Sequence, residues 1–421
     1  MSGILTRLFE RRAQEVGTPN AIEALLLNGA KTAAGVSVAP ENSLRSVAVL
    51  ACVRLLAESV GTLPLLAYRR LTGGGRERAS DWSLYPLLHA MPNPEISAAE
   101  FWSALVSHVE LWGNAYAEIE FNNAGQVSAL WPLRPGAVTV SRSPDSGDLR
   151  YDVALNGGTT VRLPAYRVMH LRGPGLNGLY GLSVIQQARQ AVGLALAAEE
   201  FGARFFGNGA VPGVVLTYPG RDLSDKARAN MKSSWRDQHE GLSNAQRVAI
   251  LEDGVKIERI GIPPNDSQFI ETRRFQIAEI ARMFGVPLHM LAEMEAGASY
   301  ASVEQRSLEF LTLSLRPRLV RIEQAIYRSL LTPAERRTYF AEFKVDGLLR
   351  GDQRTRYAAY VAGLQWGFLS INEVRELENM NPVNHGDEYL RPLNMTTLDA
   401  ASTVDALLGD GAKGGKSNGK G

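Results

Sequence analysis

The sequence has one cysteine, no long apolar segment and no clear excess of charge of either sign. The chain cannot form an intrachain disulfide framework or a thiolate metal cluster, because Cys52 is the single cysteine. Its apolar neighbours at helical spacing, Val49, Val53 and Leu56, predict a buried small side chain. No apolar run approaches the roughly 20 residues that a membrane-spanning helix needs, so no membrane partner is expected. With 45 basic and 44 acidic residues, the chain is expected to hold any DNA loosely.

Motifs for catalysis are also missing. There is no HExxH pair, no Walker A segment and no GxSxG elbow, and the run Gly73-Gly-Gly75 fits a hairpin tip better than a nucleotide-binding loop. The histidines are scattered and are predicted to be single core or surface residues: His89, His108, His170, His239, His289 and His385. We therefore expect no enzyme activity, no cofactor and no bound metal.

The length of 421 residues exceeds a single ordinary core, so two or three domains or one elongated subunit are expected. The N-terminus carries charged residues where a signal peptide would be apolar. Residues 1–42 are predicted to be a flexible arm. The Gly- and Lys-rich residues 396–421 are predicted to be a disordered tail.

The most informative segment contains two helical patterns around a short acidic loop. The first pattern runs from Gln268 to Phe284 and stops at Gly285. The second opens near Ser302, where Ser302 and Gln305 match a capping box, and it continues to Leu331. The loop between them, residues 291–300, has two glutamates and no basic residue. This arrangement points away from catalysis and towards an assembly that surrounds another molecule.

Pro317 lies in the middle of the second helical pattern. Its ring lacks the amide that would donate to Leu313 and crowds the preceding turn, at a cost of roughly 3 kcal/mol. The apolar pattern resumes directly after it, which favours a kinked helix. Two separate helices that meet at the proline are the alternative.

The other elements follow from local signals. Capping boxes at Ser97 and Ser370 open helices, and Ser183 opens a third that is expected to continue to Phe206. Alternating runs between residues 115 and 163 predict hairpins. Residues 212–265 form a compact insert, so the two long helices on either side of it are expected to lie side by side.

These elements, in this order, resemble the portal proteins of tailed bacteriophages, specifically the HK97-type family. The likeness covers about residues 44–395, and the ordered set of segments is specific although no single one is diagnostic. The segments are Ala51-Cys-Val-Arg54, Leu63-Pro-Leu65, Pro92-Asn93, Trp112-Gly-Asn-Ala-Tyr116, Gly181-Leu-Ser183, Phe205-Phe-Gly-Asn-Gly209, Ile280-Ala-Arg-Met-Phe-Gly-Val-Pro287, Tyr300-Ala-Ser-Val-Glu-Gln305, Gly367-Phe-Leu-Ser-Ile-Asn-Glu-Val-Arg375 and Asn381-Pro382.

The resemblance implies an α+β portal-type subunit with an α/β wing, a two-helix stem, a small α/β clip, a long Pro-kinked helix and a short helical crown region. The short chain after Asn394 implies no extended crown or barrel. The implied parts are wing 43–181, stem helix 182–210, clip 211–266, stem helix 267–287, tunnel loop 288–301, kinked wing and channel helix 302–331, wing strand 332–350 and crown-side helices 351–395.

The resemblance also implies a function. The chain would form a ring, a dodecamer in the virion, at one capsid vertex, and double-stranded DNA would pass through it during packaging and ejection. The implied partners are other copies of the chain, the large terminase, the head-tail connector or adaptor, and the major capsid and scaffold proteins. ATP hydrolysis would belong to a partner. The implied location is the virion, and the host cytoplasm during assembly.

Three groups of residues are candidate sites within this scheme. In the tunnel loop, a ring of carboxylates would repel phosphates and favour sliding over tight binding, and the alternative is a solvated turn with chance charges. The loop residues are Glu293, Met294, Glu295, Ser299 and Tyr300.

Near Pro317, Arg316, Arg318 and Arg321 are candidates for phosphate contacts or for pairing with Glu309 and Glu323, with pairing between subunits slightly favoured. In the insert, a basic helix with an apolar face predicts docking to the motor or connector, and a solvated helix packed on its own hairpin is the alternative. The helix residues are Lys226, Arg228, Lys232, Trp235 and Arg236.

Two other functional hypotheses remain open. A carboxylate- or metal-dependent hydrolase would use Asp346, Asp352, Glu373 or Asp387, although nothing in their spacing demands a shared site. The second hypothesis is a ring of the same kind that belongs to a prophage remnant or a gene transfer particle. The sequence does not distinguish such a ring from that of an active phage.

Overall fold

The computed structural model describes residues 32–72, 74–155, 157–207, 214–217, 224–239, 256–259, 266–291, 300–345, 353–378 and 380–389. The chain divides into two units, Met1–Val345 and Asp346–Gly421. The predicted tail, residues 396–421, lies outside the described residues. The predicted flexible arm is wrong for residues 32–42, because Val38 is fully buried in the core and a short helix begins at Pro40.

The first unit combines helices with small antiparallel sheets, and six of its strands follow one another without an intervening α-helix, which confirms the predicted α+β class. Its helices are α1 (Pro40–Ser43), α2 (Val47–Gly61), α3 (Tyr85–His89), α4 (Ala98–Trp112), α5 (Val184–Gln187), α6 (Arg189–Gly207), α7 (Asp225–His239), α8 (Asp266–Phe284), α9 (Tyr300–Glu309), α10 (Arg316–Ser329) and α11 (Glu335–Thr338). Its strands are β1 (Leu65–Arg70), β2 (Arg76–Arg78), β3 (Asn114–Phe121), β4 (Val127–Leu133), β5 (Val138–Arg142), β6 (Leu149–Ala154), β7 (Thr160–Pro164), β8 (Val168–Arg172), β9 (Val214–Thr217), β10 (Lys256–Arg259) and β11 (Tyr339–Phe343).

The main core forms where α2 packs against α4. The capping box that was predicted at Ser97 is confirmed, since its hydroxyl accepts from the Glu100 amide and the Glu100 carboxylate accepts from the Ser97 amide. Gly113 ends α4 in the left-handed region, at φ 75°. Phe101 and Trp102 are both at most 1% exposed, so the apolar face of this helix supplies the largest side chains of the core.

The strands form small antiparallel sheets with the orders β11-β1-β2, β4-β3-β8, β5-β6-β7 and β10-β9. The predicted hairpins between β1 and β2, β3 and β4, and β6 and β7 are confirmed. Gly125 and Gly157 adopt positive φ in two of the turns, as tight hairpins require. A second, smaller core lies between the β5-β6-β7 sheet and β3, and contains Tyr116, Tyr151 and Leu163.

The helix that was expected from Ser183 to Phe206 is divided in two. The Ser183 hydroxyl accepts from the Gln186 amide, but Ala188 leaves the helical region (φ −105°, ψ 21°) and separates α5 from α6. The predicted contact between the two long helices around the insert is present, because α6 packs against α8. Arg273 of α8 also reaches Glu199 of α6 at 3.7 Å.

The chain remains helical through Pro317, with a wide turn before it. Residues Phe310–Leu315 form a π-helix between α9 and α10, and the Arg316 amide donates to the Leu311 carbonyl, five residues back. A π turn of this kind accommodates a proline, because the proline nitrogen cannot donate a hydrogen bond to the carbonyl four residues earlier. The predicted capping box at Ser302 is wrong, because the helix already begins at Tyr300 and Ser302 lies inside it.

The second unit is built around two helices, α12 (Gln353–Gln365) and α13 (Ile371–Leu377). The predicted capping box at Ser370 is confirmed, with Glu373 as its reciprocal partner. Asp346 and Asp352, two of the candidate hydrolase residues, lie outside the described residues. Among the described residues of the whole chain, no helix is both long and apolar enough to cross a bilayer.

Candidate functional site

The predicted tunnel loop lies mostly outside the described residues, which exclude Glu293, Met294, Glu295 and Ser299. Tyr300 is the first residue of α9, so the described chain resumes directly as helix after the loop. On the other side of the loop, Leu288–Leu291 forms a short 3-10 turn. The roles that the sequence predicted for the loop residues therefore stay predictions.

The predicted docking surface lies on α7. Lys226, Arg228 and Lys232 are all exposed there, and Arg228 is 3.7 Å from Asp225 one turn earlier. Trp235 and Arg236 belong to the same helix, but their side chains lie outside the described part. The Ser224 hydroxyl accepts from the Ala227 amide at the start of α7. Docking through this basic surface remains a prediction.

Arg318 has a partner that the sequence did not predict. Its Nε and Nη2 donate to the two carboxylate oxygens of Glu110 in α4, at 2.7 and 2.9 Å. Nη1 donates to the Ser314 carbonyl at 2.6 Å and Nη2 also donates to the Phe284 carbonyl at 2.8 Å. The Arg318 side chain is 14% exposed and that of Glu110 is 5%. The predicted pairing of Arg318 with Glu309 or Glu323 is therefore wrong, because Glu110 occupies its guanidinium.

Arg316 and Arg321 differ from Arg318 in their surroundings. Arg316 is exposed. Burial raises the pKa of the Glu323 carboxyl, and the charge of Arg316 acts in the opposite direction without reversing that shift. Arg321 is half-buried, and burial lowers the pKa of its guanidinium. Phosphate or intersubunit contacts of Arg316 and Arg321 stay predictions.

A buried polar network surrounds His170 in β8. Its Nε2 lies 3.0 Å from Asn114 Oδ1, which also accepts from the Gly181 amide at 2.8 Å. Tyr151 Oη lies 3.2 Å from the other ring nitrogen. Burial, followed by the charges of Arg172 and Arg328, lowers the pKa of His170 to about 2. The ring is therefore neutral, and the network holds it as a fixed structural group.

Backbone segments meet closely beside this network. A Cβ atom on Gly113 would lie 2.4 Å from the Leu182 carbonyl carbon, and one on Gly181 would lie 2.1 Å from the Gly113 carbonyl oxygen. The Gly173 amide donates to that same Gly113 oxygen at 2.7 Å. Only glycine allows this approach. Two of the segments that carry the family resemblance, Trp112–Tyr116 and Gly181–Ser183, therefore meet in space.

Sequence reasoning missed both the Glu110 pair and the His170 network. Glu110 carried a usable signal, because it lies on the apolar face of α4 that also bears Trp102 and Val106. A carboxylate at such a position predicts a buried cationic partner. No comparable signal identified which cation it would be, since Arg318 lies far along the chain.

The described residues offer little for catalysis. They contain no group of three or more His, Cys, Asp and Glu side chains that could hold a metal ion. Burial, with the nearby charge of Glu110, raises the pKa of the Cys52 thiol to about 12, so it is not a thiolate nucleophile. Glu373 accepts from the Ser370 amide and the Tyr389 hydroxyl, and both contacts serve the local fold.

Comparisons with known proteins identify the family. Residues 47–379 match the family described as phage portal protein. The chain is 36% identical over 379 residues to a probable portal protein of Streptomyces phage phiC31, covering 87% of this chain and 82% of that protein. It is 33% identical over 379 residues to the portal protein of Enterobacteria phage HK97, and this match covers 89% of this chain and 88% of that protein. This chain belongs to the phage portal protein family.

A solved structure has a similar fold. A chain in the virion of a native gene transfer agent particle is 26% identical, with a TM-score of 0.55, and the match covers 82% of this chain and 94% of that one. The likeness therefore extends through most of both chains. The family resemblance that the ordered motifs predicted is confirmed.

Proposed function

We propose that this chain forms a ring at one vertex of a phage capsid, with double-stranded DNA passing through its centre during packaging and ejection. The match to the portal family over residues 47–379 carries this proposal, supported by 33% identity to the HK97 portal protein over 379 residues. The subunit number in the virion is twelve by family resemblance. The chain itself is not an enzyme, and the large terminase hydrolyses ATP.

We assign the parts of the ring by resemblance to the family. Helices α6 and α8 form the stem, the insert between them forms the clip, and the helical run from α9 through α10 lines the inner wall. The β-rich part of the first unit forms the wing, and α12 and α13 lie on the crown side. The contact between α6 and α8 supports this division, because it brings the two ends of the insert together.

DNA slides past the tunnel loop because Glu293 and Glu295 carry charge of the same sign as phosphate. Arg316 and Arg321 supply weaker contacts to phosphate or to the neighbouring subunit on the inner wall. Reversing the charge with Glu293→Lys and Glu295→Lys is expected to slow DNA translocation, because added lysines bind phosphate. Glu293→Gln with Glu295→Gln is the matched control, and equal translocation rates for both variants would contradict this role.

The exposed cations of α7 dock the large terminase and the head-tail connector. The triple change Lys226→Glu, Arg228→Glu and Lys232→Glu is expected to weaken terminase binding at least tenfold and to leave the subunit number unchanged. A control that reverses charge on the wing, Arg134→Glu with Arg162→Glu and Arg167→Glu, is expected to bind terminase normally. Binding unaffected by the α7 changes would exclude this surface. The major capsid and scaffold proteins are the other proposed partners.

Native mass spectrometry of the purified protein, with negative-stain microscopy, tests the central proposal. A ring of about twelve subunits with a central hole is expected. A monomer of 45.9 kDa under every assembly condition would contradict it.

A further inference from the structure

Two arginines from different elements converge on His170. Arg172 lies two residues further along β8, and its Nε donates to His170 Nδ1 at 3.3 Å. Arg328 belongs to α10, which packs against β8, and its Nη2 donates to the His170 carbonyl at 2.6 Å. We call Arg172 and Arg328 the arginine pair. Both guanidinium groups therefore lie within hydrogen-bond distance of one residue.

The buried network around His170 fixes the orientation of Arg172. The Asn114 side-chain oxygen cannot donate, so the His170 Nε2 that lies 3.0 Å from it carries the ring proton. Nδ1 is then the acceptor for both the Tyr151 hydroxyl and the Arg172 Nε. Arg172 Nη1 also donates to the Gly178 carbonyl at 2.8 Å. One guanidinium of the arginine pair is thus held in place from two sides.

No described carboxylate pairs with either member of the arginine pair. The groups that accept from them are uncharged, namely two backbone carbonyls and the His170 ring. Other arginines of the same unit do reach carboxylates. Arg162 Nε lies 2.7 Å from Asp152 Oδ1. Arg167 Nη2 lies 3.3 Å from Glu118 Oε1. The arginine pair is therefore an exception, in which two cations lie together without an anion from the described part of the chain.

The two charges of the arginine pair act against each other. Burial, followed by the charge of Arg172, lowers the pKa of the Arg328 guanidinium. Arg172 is half-buried and Arg328 is exposed, so a ligand can approach from the side of Arg328. Nη2 of Arg172, with Nε and Nη1 of Arg328, has no hydrogen-bond partner among the residues that the structure describes. These donors remain available to an anion.

We propose that the arginine pair binds a phosphate group. A tetrahedral phosphate has enough oxygens to accept from two guanidinium forks at once. A carboxylate has only two oxygens, and a single fork already occupies both of them where Arg318 meets Glu110. Two cations also balance the charge of a phosphate dianion, which approaches −2 near neutral pH. The site lies within one subunit and does not depend on the proposed ring.

Isothermal titration calorimetry of the full-length protein with sodium phosphate tests the proposal, with sodium chloride at equal ionic strength as the blank. Arg328→Gln removes one fork and is expected to bind phosphate at least tenfold more weakly than the wild type does. Arg328→Lys keeps the charge but lacks the planar fork, so it is expected to bind several times more weakly. Arg134→Gln removes an exposed arginine elsewhere in the same unit and is expected to bind as the wild type does.

A duplex oligonucleotide without terminal phosphates distinguishes the two sources of a phosphate group. If Arg328→Gln binds this duplex more weakly, in parallel with its loss of free phosphate, the site takes a phosphate of nucleic acid. If the duplex binds both proteins equally while free phosphate does not, the site takes the free ion. Either result supports a phosphate site.

Three results would overturn the proposal. The first is wild-type protein that binds no phosphate, and the second is equal phosphate affinity in the wild type and Arg328→Gln. The third is acetate that binds as tightly as phosphate, which would favour an acidic side chain as the ligand. If circular dichroism shows that Arg328→Gln is unfolded, Arg328→Lys decides, and equal phosphate affinity in that variant and the wild type would overturn the proposal.

Discussion

Arg318 and Glu110 form a bidentate ion pair that joins the helix after the π turn to the central helix of the core. Both oxygens of Glu110 accept from Arg318, at 2.7 and 2.9 Å, and the same guanidinium also donates to the Ser314 and Phe284 carbonyls. The Ser314 hydroxyl donates to the Gly285 carbonyl at 2.5 Å. Three helical segments therefore meet at one side chain, on the helical run that we propose lines the channel.

Loss of the Glu110 charge is predicted to destabilise the fold. Glu110→Gln leaves the guanidinium of Arg318 buried without its counter-charge, which costs roughly 3 kcal/mol in the free energy of unfolding. Urea denaturation measures this loss. Asp152→Asn is the control, because its ion pair with Arg162 is much more exposed and is expected to contribute less than about 1 kcal/mol.

A second variant separates charge from packing. Glu110→Leu combined with Arg318→Met leaves no unpaired charge and is expected to recover much of the lost stability. If Glu110→Gln unfolds at the wild-type urea midpoint, the pair does not hold these helices together.

Gly113 and Gly125 allow a matched test of close backbone approach. Both residues have nearly the same φ, 75° and 74°, but a Cβ would meet Leu182 backbone atoms at 2.4 Å at Gly113 and nothing within 4 Å at Gly125. Gly125→Ala is predicted to cost about 1 kcal/mol, the strain of a left-handed residue. Gly113→Ala adds a clash with rigid backbone and is predicted to cost about 3 kcal/mol or more. Thermal unfolding compares the two, and equal losses would contradict the close approach.

His170 is predicted to make the fold less stable in acid. Its pKa is lowered by burial from the ordinary 6.5 to about 2, so below pH 6.5 the unfolded chain binds a proton that the folded chain excludes. Stability is therefore complete above pH 6.5 and falls by about 1.4 kcal/mol per pH unit as the pH drops towards about 2. Burial lowers the pKa of His108 to about 4, which adds a loss in the same direction.

The contribution of His170 is measured as a difference between proteins. Between pH 7.5 and pH 5, the wild type is expected to lose about 2 kcal/mol more than His170→Gln does. Urea denaturation at the two pH values provides the measurement. His385→Gln removes a histidine whose side chain is 88% exposed and is expected to keep the wild-type pH dependence. If His170→Gln shows the same dependence of stability on pH as the wild type, the His170 ring titrates freely in the folded protein.

Asn372 is predicted to hold the loop after α13. Its amide nitrogen donates to the Val383 carbonyl and to Asp387 Oδ1, both at 3.0 Å, and its oxygen accepts from the Val383 amide at 2.8 Å. Asn372→Ala removes these bonds, each of which contributes about 1 kcal/mol. Hydrogen exchange at residues 382–389 should accelerate at least tenfold. Asn384→Ala, an exposed neighbour, is the control, and unchanged exchange in Asn372→Ala would exclude this anchor.

Local signals predicted many of the element boundaries. The capping boxes at Ser97 and Ser370 and the stop at Gly285 depend on residues within one helical turn, and the structure has each of them. Hairpins also depend on a few adjacent residues. Two predictions from local signals were wrong. The single helix expected from Ser183 is divided at Ala188, where the backbone leaves the helical region. The capping box expected at Ser302 is absent because that helix begins at Tyr300 and includes Ser302.

Caps and turns are short-range features of the chain, so the sequence was sufficient to predict the main helices and hairpins. The α+β class and the family came from the resemblance that the ordered motifs carry. Which charged residues become partners was decided only by tertiary structure. Arg318 had Glu323 close by in sequence, yet it pairs with Glu110, 208 residues away. Packing of α10 against the core brings those two groups together and excludes water from them. The same packing brings Gly113 to Gly181, since the distance between two backbones depends on how whole elements fit.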